Sequence, residues 1–281
     1  MLDFSLILGT VGRVNELEII LSSLQAQTYQ NFELIVVDQN PDDRLVPILA
    51  RYKDKFPILH LRSEKGLSKA KNLGLKQSTR TIVGFPDDNC RYPSDLLERV
   101  ANFFACHPDV DGLTGRSVDE YGNDSNGRYD TKPGPTNKFN LWKRVIAYNI
   151  FLRVDAIEGI WFDERLGPGA GTVWGAADET DYLLRVLGRG ASLHYDPDLI
   201  AIHASPLKEL VQSHRSMMYR AYSYGRGMSH VLQKHDFPLW FRAKWILRAL
   251  GGMTLFGAML RFVEAAYYWN AFKGRLRELL K

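Results

Sequence analysis

Across the first two hundred residues, short runs of consecutive apolar side chains alternate with segments whose apolar positions recur every third or fourth residue. Runs at 4–8, 33–37, 57–61 and 81–85 have strand length and carry many β-branched residues. Between the first two, Leu17, Ile20, Leu21 and Leu24 fall on one face of a helix. The spacing predicts further helices over 67–76 and 94–104, the second opened by Tyr92-Pro93-Ser94-Asp95. A loop is expected over 119–137, where Gly, Asp, Asn and Pro accumulate. A helix beginning near Asp178 leads to two strands, 192–195 and 199–203. Strands alternating with amphipathic segments predict an α/β fold with a mainly parallel sheet flanked by helices. After His203 the character changes, and 206–281 reads as helical throughout, with aromatics interleaved among Arg and Lys. The expected organisation is therefore a domain over 1–205 and a helical extension over 206–281.

The chain's 281 residues are 45% hydrophobic and 24% charged, enough for a large core. A net charge of +4 is compatible with anionic ligands such as nucleotide phosphates or acidic lipid headgroups. No dense basic stripe or reading motif appears, so nucleic acid is not expected as a partner. Cys90 and Cys106 are too few for a disulfide framework or a zinc site, which points to a reducing, cytoplasmic setting. The apolar stretch 249–260 lies between Arg248 and Arg261 and is too short to span a bilayer, which needs roughly 20 residues. The first strand-like run lacks the basic flank and small-residue cleavage site of a signal peptide, so none is expected.

In open parallel sheets, ligands bind outside the carboxyl ends of the strands. The first strand delivers Gly9-Thr10-Val11-Gly12-Arg13 there, the second Asp38-Gln39-Asn40, the fourth Pro86-Asp87-Asp88-Asn89, and the last ends in His203. Acids placed directly after hydrophobic strands are costly unless they bind something. Converging carboxylates suit a ribose hydroxyl, a base edge or a divalent cation.

Five segments in order carry a family resemblance. They are Ser5-Leu6-Ile7-Leu8-Gly9-Thr10, Leu34-Ile35-Val36-Val37-Asp38, Gly66-Leu67-Ser68-Lys69-Ala70-Lys71-Asn72, and Phe85-Pro86-Asp87-Asp88-Asn89 with Tyr92-Pro93. The fifth is Phe162-Asp163-Glu164-Arg165-Leu166-Gly167, running on to Asp178-Glu179-Thr180-Asp181 and Arg185. Over about residues 4–205 the chain resembles the family two glycosyltransferases of the GT-A fold. The resemblance implies an inverting transferase that moves a sugar from a nucleotide-diphosphate donor, UDP first, to a glycan or lipid-linked acceptor hydroxyl. It implies that Thr10 and Asp38 hold the nucleobase and ribose, that Arg13 reaches the phosphates or caps the next helix, and that Lys71 and Asn72 lie beside the nucleotide. Asp88 stands on the last carboxylate of an Asp-x-Asp motif and is the implied ligand of Mn²⁺ or Mg²⁺, with Asp87 on the ribose or on metal-bound water. His203 is where relatives carry a histidine that completes the metal site. Glu179 aligns with the catalytic base, and Asp178 is the second choice; helix capping is the competing role for both.

Trp174, in the glycine-rich run 167–175, is expected either to stack on a sugar ring or to belong to the core. Arg220 and Arg226, around Tyr222 and Tyr224, are candidates to fold over the donor phosphates. In the extension, Arg242, Lys244, Arg248 and Arg261 would meet anionic lipid while Trp245, Leu247 and Phe256 bury, giving peripheral contact with the inner face of the cell membrane. The alternative is a helical subdomain packed on the catalytic domain. Two other functions compete: a sugar-1-phosphate nucleotidyltransferase, and a non-catalytic nucleotide-binding or membrane scaffold.

Overall fold

The computed structural model describes residues 2–203 and 214–279; expectations for 204–213 and for 280–281 lie outside the described residues. In chain order the elements are β1 (Phe4–Thr10), α1 (Asn15–Gln25), β2 (Phe32–Asp38), α2 (Val46–Ala50), β3 (Ile58–Arg62), α3 (Leu67–Gln77), β4 (Ile82–Gly84) and β5 (Cys90–Arg91). They continue with α4 (Leu96–Cys106), β6 (Gly112–Val118), β7 (Gly134–Thr136), β8 (Ile150–Arg153), α5 (Asp178–Gly188) and β9 (Leu193–His203). Three long helices close the chain, α6 (His214–Lys234), α7 (Leu239–Ala258) and α8 (Phe262–Leu279).

The strands form one sheet in the order β3-β2-β1-β4-β8-β6-β9-β5, with β7 also paired to β9. The first half is parallel, β1 pairing with β2 and β4, and β2 with β3. The second half mixes a parallel β6–β9 pair with antiparallel β4–β8, β6–β8, β5–β9 and β7–β9 pairs. Strands covered on both faces need apolar residues at every position, which is why the sequence shows runs rather than alternation. Leu6, Leu8, Leu34 and Val36 face one layer with α1, α2 and α4. Ile7, Ile35, Val37 and Val83 face the other with α3 and α5. Leu17, Ile20, Leu21 and Leu24 of α1 are all fully buried, each contributing about 1.5–3 kcal/mol.

Four strands escaped the sequence reading: β5, β6, β8, and β7, which lies at the end of the expected 119–137 loop. β6 carries Gly112 and Gly115, which locally suggest a loop. Both glycines serve close strand approach: a side chain at Gly112 would strike Leu193 and Leu152, and one at Gly115 would strike the Leu199 carbonyl and Asn149. β9 is continuous where two strands were expected, and the β6–β9 register shifts between Thr114 and Arg116 opposite the Asp196-Pro197 region.

The last helices share the core of the sheet domain. Val231, Leu232, Phe237, Phe241 and Trp245 join the same cluster as Leu141, Tyr182 and Leu183. Trp245 thus belongs to the protein interior, beside Trp142 and Phe241, rather than to a lipid-facing surface. No residue between 250 and 270 is buried, so the outer halves of α7 and α8 form an arm that leaves the body.

Tight contact between α3 and β1 sets the position of the site, because β1 ends and α3 begins there. A methyl group at Gly74 would collide with Ile7 Cγ2. Gly74→Ala is therefore expected to destabilise the fold by roughly 1–3 kcal/mol, although alanine is the better helix former. Chemical denaturation checks this; a rise in midpoint would refute the close packing.

Candidate active site

At the carboxyl edge of the parallel half, strand ends and two helix starts bring acids and bases together. Thr10 ends β1 and Asp38 ends β2, directly opposite each other in the parallel register. Asp38 has no exposed surface. Its Oδ1 accepts the backbone and side-chain N–H of Asn40 at 2.8 and 2.7 Å. Its Oδ2 lies 3.0 Å from His60 Nε2 and 3.1 Å from Arg62 Nη1. The sequence reading missed His60 and Arg62. The available signal was Arg62 opposite Asp38 in the β2–β3 register, with His60 two residues earlier on the same face of β3.

Asp88 follows β4 and is buried. Its Oδ2 accepts the Thr10 hydroxyl at 2.7 Å, and its Oδ1 accepts Arg13 Nη1 at 2.7 Å. Burial and the adjacent Asp87 carboxylate push the Asp88 carboxyl up to about 6, against the pull of Arg13 and Thr10. Arg13 pairs with this acid rather than capping α1, whose N-cap residue is Val14.

Asp178 and Glu179 open α5. The preceding Ala177 has φ 70°, a left-handed conformation that costs roughly 1 kcal/mol or more for a residue with a Cβ. The capping role does not apply to Asp178: the N-cap is Ala177, without a side-chain cap, and Asp178 Oδ2 instead accepts Lys71 Nζ at 2.9 Å. Lys71 is buried within α3. Burial would lower its pKa, but Asp178, Glu179 and Asp87 outweigh this and raise it, so the ammonium persists. Its interactions with Asp87 and Glu179 tie the β4 acids to the α5 acids in one cleft. Burial and the Asp178 carboxylate push half-buried Glu179 up to about 8, with Lys71 opposing.

Other candidates fall elsewhere. Asn72 grips the backbone N–H and C=O of Phe162, at 2.7 and 3.0 Å, so it shapes the site wall. His203 is buried, its ring stacked on Tyr148 with centroids 5.0 Å apart; it pairs across the sheet with Cys90, two residues beyond Asp88. Trp174 stacks on His230 and donates its indole N–H to Glu278. Arg226 is bound to Glu278 and does not cover the cleft. Arg220 lies over Tyr224, whose hydroxyl is close enough to Asp178 to feel its charge.

The residues fit a divalent cation by donor chemistry. Asp87 and Asp88 offer hard oxygens whose mutual repulsion a cation would relieve. Among the described residues no three His, Cys, Asp or Glu side chains converge as a ready-made ligand set. That suits an ion held by one or two carboxylates together with substrate phosphates and water.

The electrostatics give a direct expectation. Glutamine mimics protonated Glu179, so Glu179→Gln should match wild-type stability below about pH 4.5, gain on it as pH rises to about 8, and hold the advantage above. The sign follows because the unfolded state releases this proton near 4.5 while the native state keeps it. A melting-temperature series across pH reads the effect; equal pH profiles would refute the raised pKa.

Comparison with known proteins places this arrangement. The family model described as glycosyl transferase family 2 matches residues 5–161, more than half of the chain. Glycosyltransferase AglE of Haloferax volcanii is 27% identical over 218 residues, 74% of this chain and 69% of that protein. The minor teichoic acid biosynthesis protein GgaB of Bacillus subtilis is 26% identical over 212 residues, covering 68% of this chain but only 24% of its own. Among solved structures, S. aureus TarS 1-349 in complex with UDP-GlcNAc aligns with TM-score 0.60 at 16% identity, over 99% of this chain and 90% of that one. Mannosyltransferase PcManGT of Pyrobaculum calidifontis, in complex with GDP-Man and Mn²⁺, aligns with TM-score 0.65 at 16% identity, over 99% and 89%. At such identities the two structures speak for the fold.

Proposed function

Because this chain belongs to glycosyl transferase family 2, we propose that it moves a sugar from a nucleotide-diphosphate donor to an acceptor hydroxyl, with inversion at the anomeric carbon. The observation that supports this reading is the buried Lys71–Asp178 pair, whose ammonium also feels the charges of Glu179 and of Asp87, the neighbour of Asp88. Uridine diphosphate donors come first, because TarS was solved with UDP-GlcNAc; GDP-mannose, as with PcManGT, is the next to try.

The roles follow from position. Thr10 and Asp38 receive the nucleoside, with half-exposed Arg62 giving way at the Asp38 carboxylate. Arg13 turns from Asp88 to the anionic diphosphate when the donor enters. Asp88 and Asp87 hold Mg²⁺ or Mn²⁺, which when bound neutralises charge on the departing diphosphate. His203 is the nearby imidazole whose substitution tests for a nitrogen ligand. Glu179 takes the acceptor's proton as that oxygen bonds to the anomeric carbon and the bond to the diphosphate oxygen breaks; Asp178 holds Lys71, which keeps the base's surroundings charged and dry. The raised pKa of Glu179 is an asset here, since a carboxylate near 8 is a stronger base than one near 4.

A donor panel of UDP-, dTDP- and GDP-sugars, assayed with Mn²⁺, Mg²⁺ or chelator, tests the reading. We expect nucleoside diphosphate release that depends on metal and acceptor. Asp88→Ala and Glu179→Gln should each lower kcat/KM by roughly 10²-fold or more, and wild-type kcat/KM should rise with pH up to about 8 as Glu179 ionises. Full activity in either variant removes that residue's role, and pyrophosphate release from a sugar phosphate and a nucleoside triphosphate would indicate a nucleotidyltransferase.

The acceptor side of the proposal is a lipid-linked glycan at the inner membrane face. No helix of the described residues is long and apolar enough to cross a bilayer, so contact would be peripheral. The support is the arm at the α7–α8 turn. Leu260 is 73% and Phe262 68% exposed, Leu255, Met259 and Val263 are exposed beside them, and Leu260 holds φ 57°. Arg261 stands in this tip, paired with Glu264, Arg248 lies further back along α7, and α7 contains no acid. Apolar tips with basic collars suit an anionic interface. Leu260→Ser/Phe262→Ser should abolish sedimentation with phosphatidylglycerol vesicles while leaving turnover of a water-soluble acceptor intact; wild-type protein that ignores such vesicles would end this part of the proposal.

A further inference from the structure

Among the links by which the helical region reaches the catalytic edge is one buried carboxylate. Glu278, near the end of α8, is 3% exposed. Its Oε1 accepts the indole N–H of Trp174 at 3.0 Å. Its Oε2 accepts Arg226 Nε and Nη2 from α6 at 2.9 and 2.7 Å. The Trp174 ring lies flat on His230, with centroids 3.8 Å apart and planes 18° from parallel. Trp174 therefore has its polar atom and one ring face committed to protein, and it belongs to neither helix.

We propose that Glu278 is a positioning residue: it fixes the glycine-rich segment 167–175 and, through that segment, the carboxylates that open α5. The functional half of this proposal rests on the transferase reading. Gly167, Gly169 and Gly171 all have positive φ, at 95°, 75° and 72°. Such a segment has little stiffness of its own and must be held from outside. At one end α3 holds it, with Leu67 N–H on the Pro168 carbonyl at 3.0 Å and the Ser68 hydroxyl on the Leu166 carbonyl at 2.8 Å. At the other end the Ser223 hydroxyl of α6 donates to the Val173 carbonyl at 3.1 Å, and Glu278 holds the Trp174 side chain.

The segment then transmits position to the acids. Gly167 N–H donates to the Trp174 carbonyl at 3.0 Å and closes the segment on itself. Gly167 packs so closely on Asp178 that a Cβ there would lie 2.9 Å from the carboxyl carbon. Displacing Trp174 thus moves the backbone that backs Asp178, the partner of Lys71 and neighbour of Glu179. A carboxylate is the side chain suited to this post. Indole and guanidinium are both donors only, and one acid with two oxygens satisfies both in a buried place.

Two variants separate this from a mere staple between α6 and α8. Trp174→Phe keeps an aromatic ring against His230 but removes the pyrrole ring with its N–H; Glu278→Gln keeps the shape but lacks an acceptor oxygen for one donor. Each should speed amide hydrogen exchange across 166–176 by roughly tenfold while leaving β1 to β4 unchanged. Each should also lower kcat by roughly 10- to 100-fold with donor KM held within about twofold, because the base is displaced and the nucleotide site is not. Unchanged exchange in Trp174→Phe would overturn the clamp, and faster exchange with unchanged kcat would overturn the positioning role. If wild-type protein turned over no donor, the transferase proposal would fail, and the exchange measurement would still decide the clamp.

Discussion

A lysine without water around it holds the site in register. Lys71 is buried in α3 and sends its ammonium to Asp178 at 2.9 Å, within reach of the charges of Glu179 and Asp87. A buried charge is tolerated only beside its opposite. Here the two signs come from separate parts of the chain, so the pairing fixes α3 and the start of α5 relative to one another. Phe162 lies 4.8 Å below the ammonium and excludes solvent from one side. Loss of either partner would strand a charge, which costs roughly 3–5 kcal/mol in buried pairs.

That arrangement leaves more acid than base in the cleft. Asp88 and Glu179 both hold their protons far more tightly than ordinary carboxyls, from burial and from an adjacent acid in each case. The fold therefore carries electrostatic strain that a cation and a proton-donating acceptor would relieve. Stability and chemistry pull in opposite directions at such places. Ala177, in the left-handed region just before Asp178, adds backbone strain at the same point.

The last helices do two kinds of work. Their inner halves are part of the catalytic body: Val231, Phe237, Phe241 and Trp245 extend the core over Tyr182 and Leu183, and Glu278 reaches the glycine-rich segment. Their outer halves hold no fully buried residue between 250 and 270, only half-buried ones such as Phe256 stacked on Tyr268. Of the two alternatives drawn from composition, the packed subdomain describes the inner halves, whose side chains belong to the core of the sheet domain.

Local pattern carried much of the fold. Apolar runs in β1, β2 and β4, and the 3.6-residue stripe of α1, are short-range signals that survive without tertiary knowledge. The acids after β2 and β4 were legible because polar groups there contradict the hydrophobic strands they follow. β6 was not legible, since Gly112 and Gly115 gain their meaning only from the strands pressed against them. Nor could sequence show that Asp38 is enclosed by His60 and Arg62, that Asp178 takes Lys71, or that Trp174 answers to Glu278 104 residues away. Sequence by itself determined which residue types stand at which strand ends, because the chain's own periodicity sets that. Only the tertiary structure decided which charges meet and what water they exclude, because pairing energy depends on distance and burial that chain order does not encode.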